Sequence, residues 1–310
     1  MKDKIPVILD TDIGGDIDDT WALAMLLQSP ELDLSLIVTD TGDTTYRAKV
    51  AAKLLEVAGR TDVPVAIGLH QGDGDAPQAA WVANYDLADY PGEVIKDGVQ
   101  ALIDTIMASS EPVTLVAIGP VPNIAAALER EPRIAHNARF VGMHGSVRLG
   151  YDGAPETIAE YNVKADAAAC RAAFAAPWEV TITPLDTCGL VRLSGELYAQ
   201  VRDSDNPLAQ AVMENYRIWA KDLSWTQTDP EAASSVLFDT VAVFLAFSEH
   251  LLTMEEVGLQ VTDEGYTVID ETAKPIRCAM AWKDQTAFEK LVAARVTGKQ
   301  PKAICNYELT

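Results

Sequence analysis

The chain has 310 residues, 48% of them hydrophobic and 23% charged, enough apolar material for one large α/β domain or two small ones. Its 46 Asp and Glu against 24 Lys and Arg give a formal net charge of −22. That balance argues against nucleic-acid and anionic-membrane partners, which need basic surfaces. The predicted elements follow in chain order. Residues 5–9 form a short apolar strand, and residues 20–27 an apolar helix. Between them lie five carboxylates, Asp10, Asp12, Asp16, Asp18 and Asp19, with Gly14 and Gly15 allowing a tight turn. A second strand (32–39), a helix (44–59) and a third short strand (64–69) continue the alternation. Residues 70–92 make a long polar loop carrying Trp81, Tyr85 and Tyr90, the kind of loop that often binds ligands. A helix is expected over 94–109, a strand over 113–118, a turn and helix through 130, and a strand over 139–143. The remainder reads as a helix over 167–176, a strand over 179–183, helical sequence over 194–225, hairpin and strand over 257–280, and a closing helix over 284–297. This rhythm predicts a doubly wound, mainly parallel open sheet with helices on both faces, as a single domain spanning residues 1–310.

The acidic turn carries the chemistry. A helix N-terminus welcomes one or two carboxylates, but five crowded together raise one another's pKa unless a cation sits among them. Oxygen donors of this kind suit Ca²⁺ or Mg²⁺. An EF-hand loop starting at Asp10 would put ligands where Gly14 and Trp21 stand, so that reading fails. A P-loop fails for lack of Gly-Lys-Ser/Thr. An Asp-x-Asp phosphatase of the haloacid dehalogenase type is weakened by Gly14, where that class has threonine.

The segment Asp10-Thr11-Asp12-Ile13-Gly14-Gly15-Asp16-Ile17-Asp18-Asp19 resembles the N-terminal signature of the inosine–uridine-type nucleoside hydrolases, Asp-Thr-Asp-Pro-Gly-x-Asp-Asp, with Ile13 for proline and two extra residues before the final pair. Three later stretches resemble the same family in the right order. They are Ile118-Gly119-Pro120 through Asn123-Ile124-Ala125, Ala159-Glu160-Tyr161-Asn162 through Asp166, and Phe238-Asp239 before an apolar helix. The resemblance implies an N-glycosyl hydrolase of nucleosides or related ribosides. It implies Ca²⁺ held by Asp10, Asp19, Asp239 and the Ile118 carbonyl, with Asp10 as general base. Asp18, Glu160 and Asn162 would grip the sugar, with Asp43 in the place of a ribose-contacting asparagine, and Trp225 would stack on the base. The long loop itself offers Trp81 and His70 as further contacts to the substrate ring. Asn162 would also steady the positive sugar of the transition state. Glu160 and Asn162 are expected to face one pocket as alternate residues of an extended segment. Asn123 is expected mainly as a helix cap, and Asp166 as the cap of the following helix. The family's usual acid, a histidine before the last Asp, is Phe238 here, which leaves His70, His144, solvent or a better leaving group to replace it. Ca²⁺-dependent sugar binding without catalysis is the alternative that this loss suggests.

Cys170, Cys188, Cys278 and Cys305 are scattered, without Cys-x-x-Cys spacing or a nearby histidine, which points away from zinc and disulfides. The N-terminus lacks a signal-peptide core, and no apolar run reaches membrane-spanning length. The expected protein is cytoplasmic, without nucleic-acid or membrane partners, and a homo-oligomer (dimer or tetramer).

Overall fold

Short apolar runs, each too brief for a helix and followed by a glycine or polar turn, become the strands of one sheet. The computed structural model describes residues 4–221 and 228–299. Its ten strands are β1 Ile5–Thr11, β2 Leu32–Thr39, β3 Val65–Ile67, β4 Val94–Ile95, β5 Val113–Ala117, β6 Ala138–Met143, β7 Val180–Thr183, β8 Leu252–Val261, β9 Thr267–Ile269 and β10 Pro275–Trp282. Their spatial order is β4-β3-β2-β1-β5-β6-β7-β10-β8-β9. Every pairing from β4 to β10 is parallel, and only β8 and β9 run antiparallel to their neighbours.

The central strands are buried on both faces, which is why β1 and β5 are nearly continuous Val, Ile and Leu rather than alternating. Alternation survives in where side chains point. Val7 and Leu9 join one core cluster, with Trp21, Trp219, Phe244 and Phe288, while Ile8 joins the opposite one, with Leu115, Phe140 and Trp178. Helices Asp18–Leu27, Thr44–Val57 and Pro207–Trp219 contribute to the first face, and Gly98–Ala108, Pro122–Arg130 and Ala167–Ala175 to the second. Strand order reverses between β1 and β5, and a crevice at such a point is where open α/β sheets place ligands.

Local sequence moved several boundaries. β1 runs to Thr11, so Asp10 belongs to the strand and only Asp12 opens the turn. The helix expected from residue 94 starts at Gly98, because Asp97 accepts from Gln100 N and Val94–Ile95 pair with β3. The segment expected to extend through Glu160 and Asn162 is instead helical over Tyr161–Ala165, with Glu160 as its N-cap. The long helical stretch after residue 194 divides at Asn206, which caps a second helix with Pro207 in its first turn. Among the described residues no helix is long and apolar enough to cross a membrane.

Candidate active site

The two extra residues of the acidic turn are held by side chains from four directions. Arg47 Nη1 donates to Ile13 O at 3.1 Å, and Tyr46 Oη to Gly14 O at 3.0 Å. Trp219 Nε1 donates to Gly15 O at 3.1 Å, and Gln78 Nε2 to Asp16 O at 2.9 Å. Each successive carbonyl is thereby satisfied, as buried backbone requires. Gly14 sits at φ +101°, and a Cβ there would lie 2.9 Å from Tyr46 Cε1, so only glycine makes this turn without strain. Gln78 is fully buried and also accepts from Asn215 Nδ2 at 2.6 Å, tying the long loop to the helix Pro207–Trp219.

The turn forms one wall of a cavity of about 570 Å³ beyond the carboxyl ends of the strands, a volume suited to a small ligand. At its floor, ligand atoms of Asp18, Asp19 and Asp239 lie within 4.8 Å of one another, and all three residues are buried. Thr11 Oγ1 donates to Asp19 Oδ1, and Asp239 N donates to Asp18 Oδ2 at 3.4 Å. Burial, then repulsion from neighbouring carboxylates including Asp12, holds all three carboxyls well above the usual range. A divalent cation would remove that penalty. The donor set is hard oxygen throughout, and the Ile118 carbonyl and the Asp12 carboxylate line the same cavity.

Glu160 accepts from Gly145 N at 3.0 Å, Asn162 N at 2.8 Å and Val163 N at 3.2 Å. Burial nevertheless pushes its carboxyl up to about 7. Asn162 donates its amide to Met143 O at 3.0 Å and Ile118 O at 3.3 Å, leaving its Oδ1 uncommitted. Both residues line the cavity even though the backbone between them is helical, because a cap and its second helical residue can share one side of the turn. Asp166 caps the helix Ala167–Ala175 as expected, accepting from Ala169 N.

Asp10 takes no part in lining the cavity. It is fully buried in β1, where Asn123 Nδ2 donates to its Oδ2 at 2.9 Å and the Asp40 carboxyl shares a hydrogen bond with it. Burial raises Asp10 to about 6 and, with the repulsion of Asp10, holds Asp40 well above the usual carboxylate range. Asn123 is not the cap expected of it, since Val121 stands at the N-cap of helix Pro122–Arg130 and no side chain caps it. Asn123 instead also donates to Thr39 O and accepts from Leu69 N, joining three strand ends. Asp12 is the carboxylate on the cavity side, 3.7 Å from Arg47 Nη2.

Three other expectations are corrected. Asp43 is outside the cavity lining and caps helix Thr44–Val57, accepting from Thr45 N and Tyr46 N at 3.0 Å. Trp81 is 4% exposed in the core, with Nε1 donating to Glu214 and Lys53 Nζ 4.2 Å from its ring centroid, so it cannot stack on a cavity ligand. His144 is buried against Phe140 and Phe174, and burial lowers it to about 4. Trp225 lies outside the described residues.

Sequence reading passed over Arg47 and Tyr151. Arg47 reaches the cavity because Thr41 O and Ile13 O fix its guanidinium. Tyr151 packs edge-to-face on Phe238, ring centroids 5.7 Å apart, and both line the cavity. Neither carries a local signal, since each arrives from a loop or helix remote in sequence.

Known proteins resemble this chain in sequence and fold. The family model described as inosine-uridine preferring nucleoside hydrolase matches residues 7–299. The chain is 33% identical to the "Non-specific ribonucleoside hydrolase RihC" of Klebsiella pneumoniae, over 69% of this chain and 73% of that one. It is 29% identical to the "Inosine-uridine preferring nucleoside hydrolase" of Crithidia fasciculata, over 92% and 94% of the two chains. The solved fold of "Plant nucleoside hydrolase - PpNRh1 enzyme" superposes with a TM-score of 0.81 at 22% identity, covering 95% of this chain and 99% of that one. With its parallel sheet, acidic floor and sugar-sized cavity, the chain belongs to the inosine-uridine preferring nucleoside hydrolase family and is an N-glycosyl hydrolase of ribonucleosides.

Proposed function

We propose that the chain hydrolyses the N-glycosidic bond of a ribonucleoside or related riboside with Ca²⁺ held by Asp18, Asp19, Asp239 and the Ile118 carbonyl. The observation that carries this is the convergence of Asp18 and Asp19 with Asp239, from opposite ends of the chain, on one buried point of the cavity floor. When bound, the cation would acidify a water and orient the sugar hydroxyls. Asp12 is the general base, in place of Asp10, because of the two only Asp12 lines the cavity. Glu160 and Asn162 bind the ribose hydroxyls. The Asn162 oxygen and the surrounding carboxylates stabilise the positive sugar as the base departs. A phosphoenzyme at Asp10 is disfavoured by the same burial that seals Asp10 behind the wall. The free, buried thiols of Cys170, Cys188 and Cys278 support a reducing, cytoplasmic setting.

Base release from uridine, inosine and p-nitrophenyl riboside, with and without chelator, tests the proposal. Asp12→Asn should lower turnover by about 10²–10⁴. Asp10→Asn should retain more activity than Asp12→Asn, and the reverse order would return the base to Asp10. Turnover unaffected by thorough chelation would overturn the metal assignment.

A further inference from the structure

We infer that this site is built for N-ribosides whose aglycone is a positively charged heteroaromatic ring, a pyridinium or an N7-alkylated purinium. This rests on the hydrolase reading above and names the substrate class of the same site. Three observations carry it.

Among the described residues, no histidine or lysine lines the cavity to protonate a departing base. The chain has four histidines, and none lines the cavity. His70 is on the exposed loop, His136 lies in the short helix Ile134–Asn137, His144 is packed between phenylalanines, and His250 bonds Ser248. Arg47, the lone cation among the described lining residues, does not give up its proton and is anchored by two backbone carbonyls. Glu160, which burial raises to about 7, is tied to three backbone N–H groups, and burial lifts the Tyr151 and Tyr161 phenols above their ordinary range, which makes them poorer proton donors.

The cavity also carries more carboxyl groups than a divalent ion would use. Asp12, Asp16, Asp75 and Glu160 line it in addition to the three floor carboxylates, with only Arg47 opposing them. A concave, acid-lined site concentrates cations. Finally, the Tyr151–Phe238 pair offers aromatic surface on the wall, and a cationic ring gains from lying against such faces.

The chemistry balances without an acid. The water oxygen bonds to C1′ as Asp12 takes its proton. The C1′–N bond breaks and its electron pair neutralises the ring nitrogen. The products are ribose, a neutral heteroaromatic and one proton released to solvent. Uridine, by contrast, must find a proton for its leaving base.

The test is kcat/KM for nicotinamide riboside, 7-methylguanosine, uridine, inosine and p-nitrophenyl riboside, with Ca²⁺ present and proton release followed in a pH-stat. A cationic substrate should exceed uridine and inosine by about a hundredfold or more, the scale of a missing general acid. It should release one proton per turnover. Phe238→Leu should raise its KM about fivefold, with a smaller effect on the neutral p-nitrophenyl riboside. Activity on only one of the two cationic substrates still supports the inference and identifies the ring size. Uridine or inosine turning over as well as either cation, or p-nitrophenyl riboside alone reacting, overturns the inference while leaving the hydrolase reading intact. No base release from any of the five sinks both.

Discussion

Asp239→Asn should stabilise the metal-free protein and destabilise the calcium-loaded one, and this crossing of signs is a strong test of the acidic floor. The ligand atoms of Asp18, Asp19 and Asp239 lie within 4.8 Å. At an effective dielectric near 20, two charges at that separation repel by about 3.5 kcal/mol. Without a cation the trio escapes this by holding protons. Keeping one carboxyl protonated at neutral pH costs about 4 kcal/mol relative to the unfolded chain. Asparagine avoids most of that cost but forfeits hydrogen-bond geometry worth about 1 kcal/mol, so the net gain in chelator should be about 1–3 kcal/mol. Calcium at about a hundred times its Kd should add about 2.7 kcal/mol to the natural protein and far less to the variant. Thermal unfolding in EDTA and in calcium reads both arms, at roughly 2–4 °C per kcal/mol for a chain of somewhat smaller size. The pH dependence follows with a definite sign. These folded-state pKa values are raised, so the folded chain binds more protons than the unfolded one above about pH 4. The chelated protein should therefore lose stability as pH rises from there towards neutrality, and calcium should flatten the slope. A variant that melts lower in EDTA, or keeps the full calcium shift, would refute the reasoning.

The remaining predictions separate roles that the cavity keeps apart. Asp43→Ala should cost about 1 kcal/mol as a lost N-cap, seen in urea unfolding, yet leave KM within about twofold. A large KM increase would restore Asp43 to the sugar site. His144→Leu should leave turnover within about threefold, because a buried imidazole lowered to about 4 is neutral at working pH and outside the cavity. Phe238→His should raise base release from uridine or inosine by about tenfold or more, with the gain fading as pH rises through about 6.5 and the imidazolium loses its proton. No gain at any pH would mean that leaving-group protonation does not limit the natural enzyme on those substrates.

The parallel sheet was readable because each central strand is a short Val, Ile and Leu run between helix-forming segments. Its antiparallel margin was also visible in the tail. The pairing of Asp19 with Asp239 followed from the resemblance, which gave Asp18 to the sugar instead, and the fold brings all three together. The choice between Asp10 and Asp12 did not follow, since it depends on β1 continuing to Thr11 before the chain turns. A two-residue difference in strand length decides which carboxylate is sealed inside and which meets the cavity. Glu160 and Asn162 were correctly assigned to one wall for a mistaken reason. Capping overrode the extended conformation there, and the helical turn still delivered both side chains. Trp81 misled because a tryptophan on a polar loop looks like a ligand contact, whereas the loop folds it inward against Lys53 and Glu214. Arg47 and Tyr151 were invisible because nothing in their neighbourhoods marks them, and only the tertiary fold aims them.

The attachments of the long loop constrain how ligands come and go. Asn123 fastens its start at Leu69, and Gln78 fastens it again at the acidic turn. Between those rivets, residues 70–76 are exposed, and Gln71, Gly74 and Asp75 reach the cavity. Any doorway on this side is therefore a short hatch with both hinges bolted to the chassis. Gln71 N also bonds Gly42 O within it, so it cannot swing clear as a domain-sized gate, and traffic through the mouth should be governed by the length of that hatch.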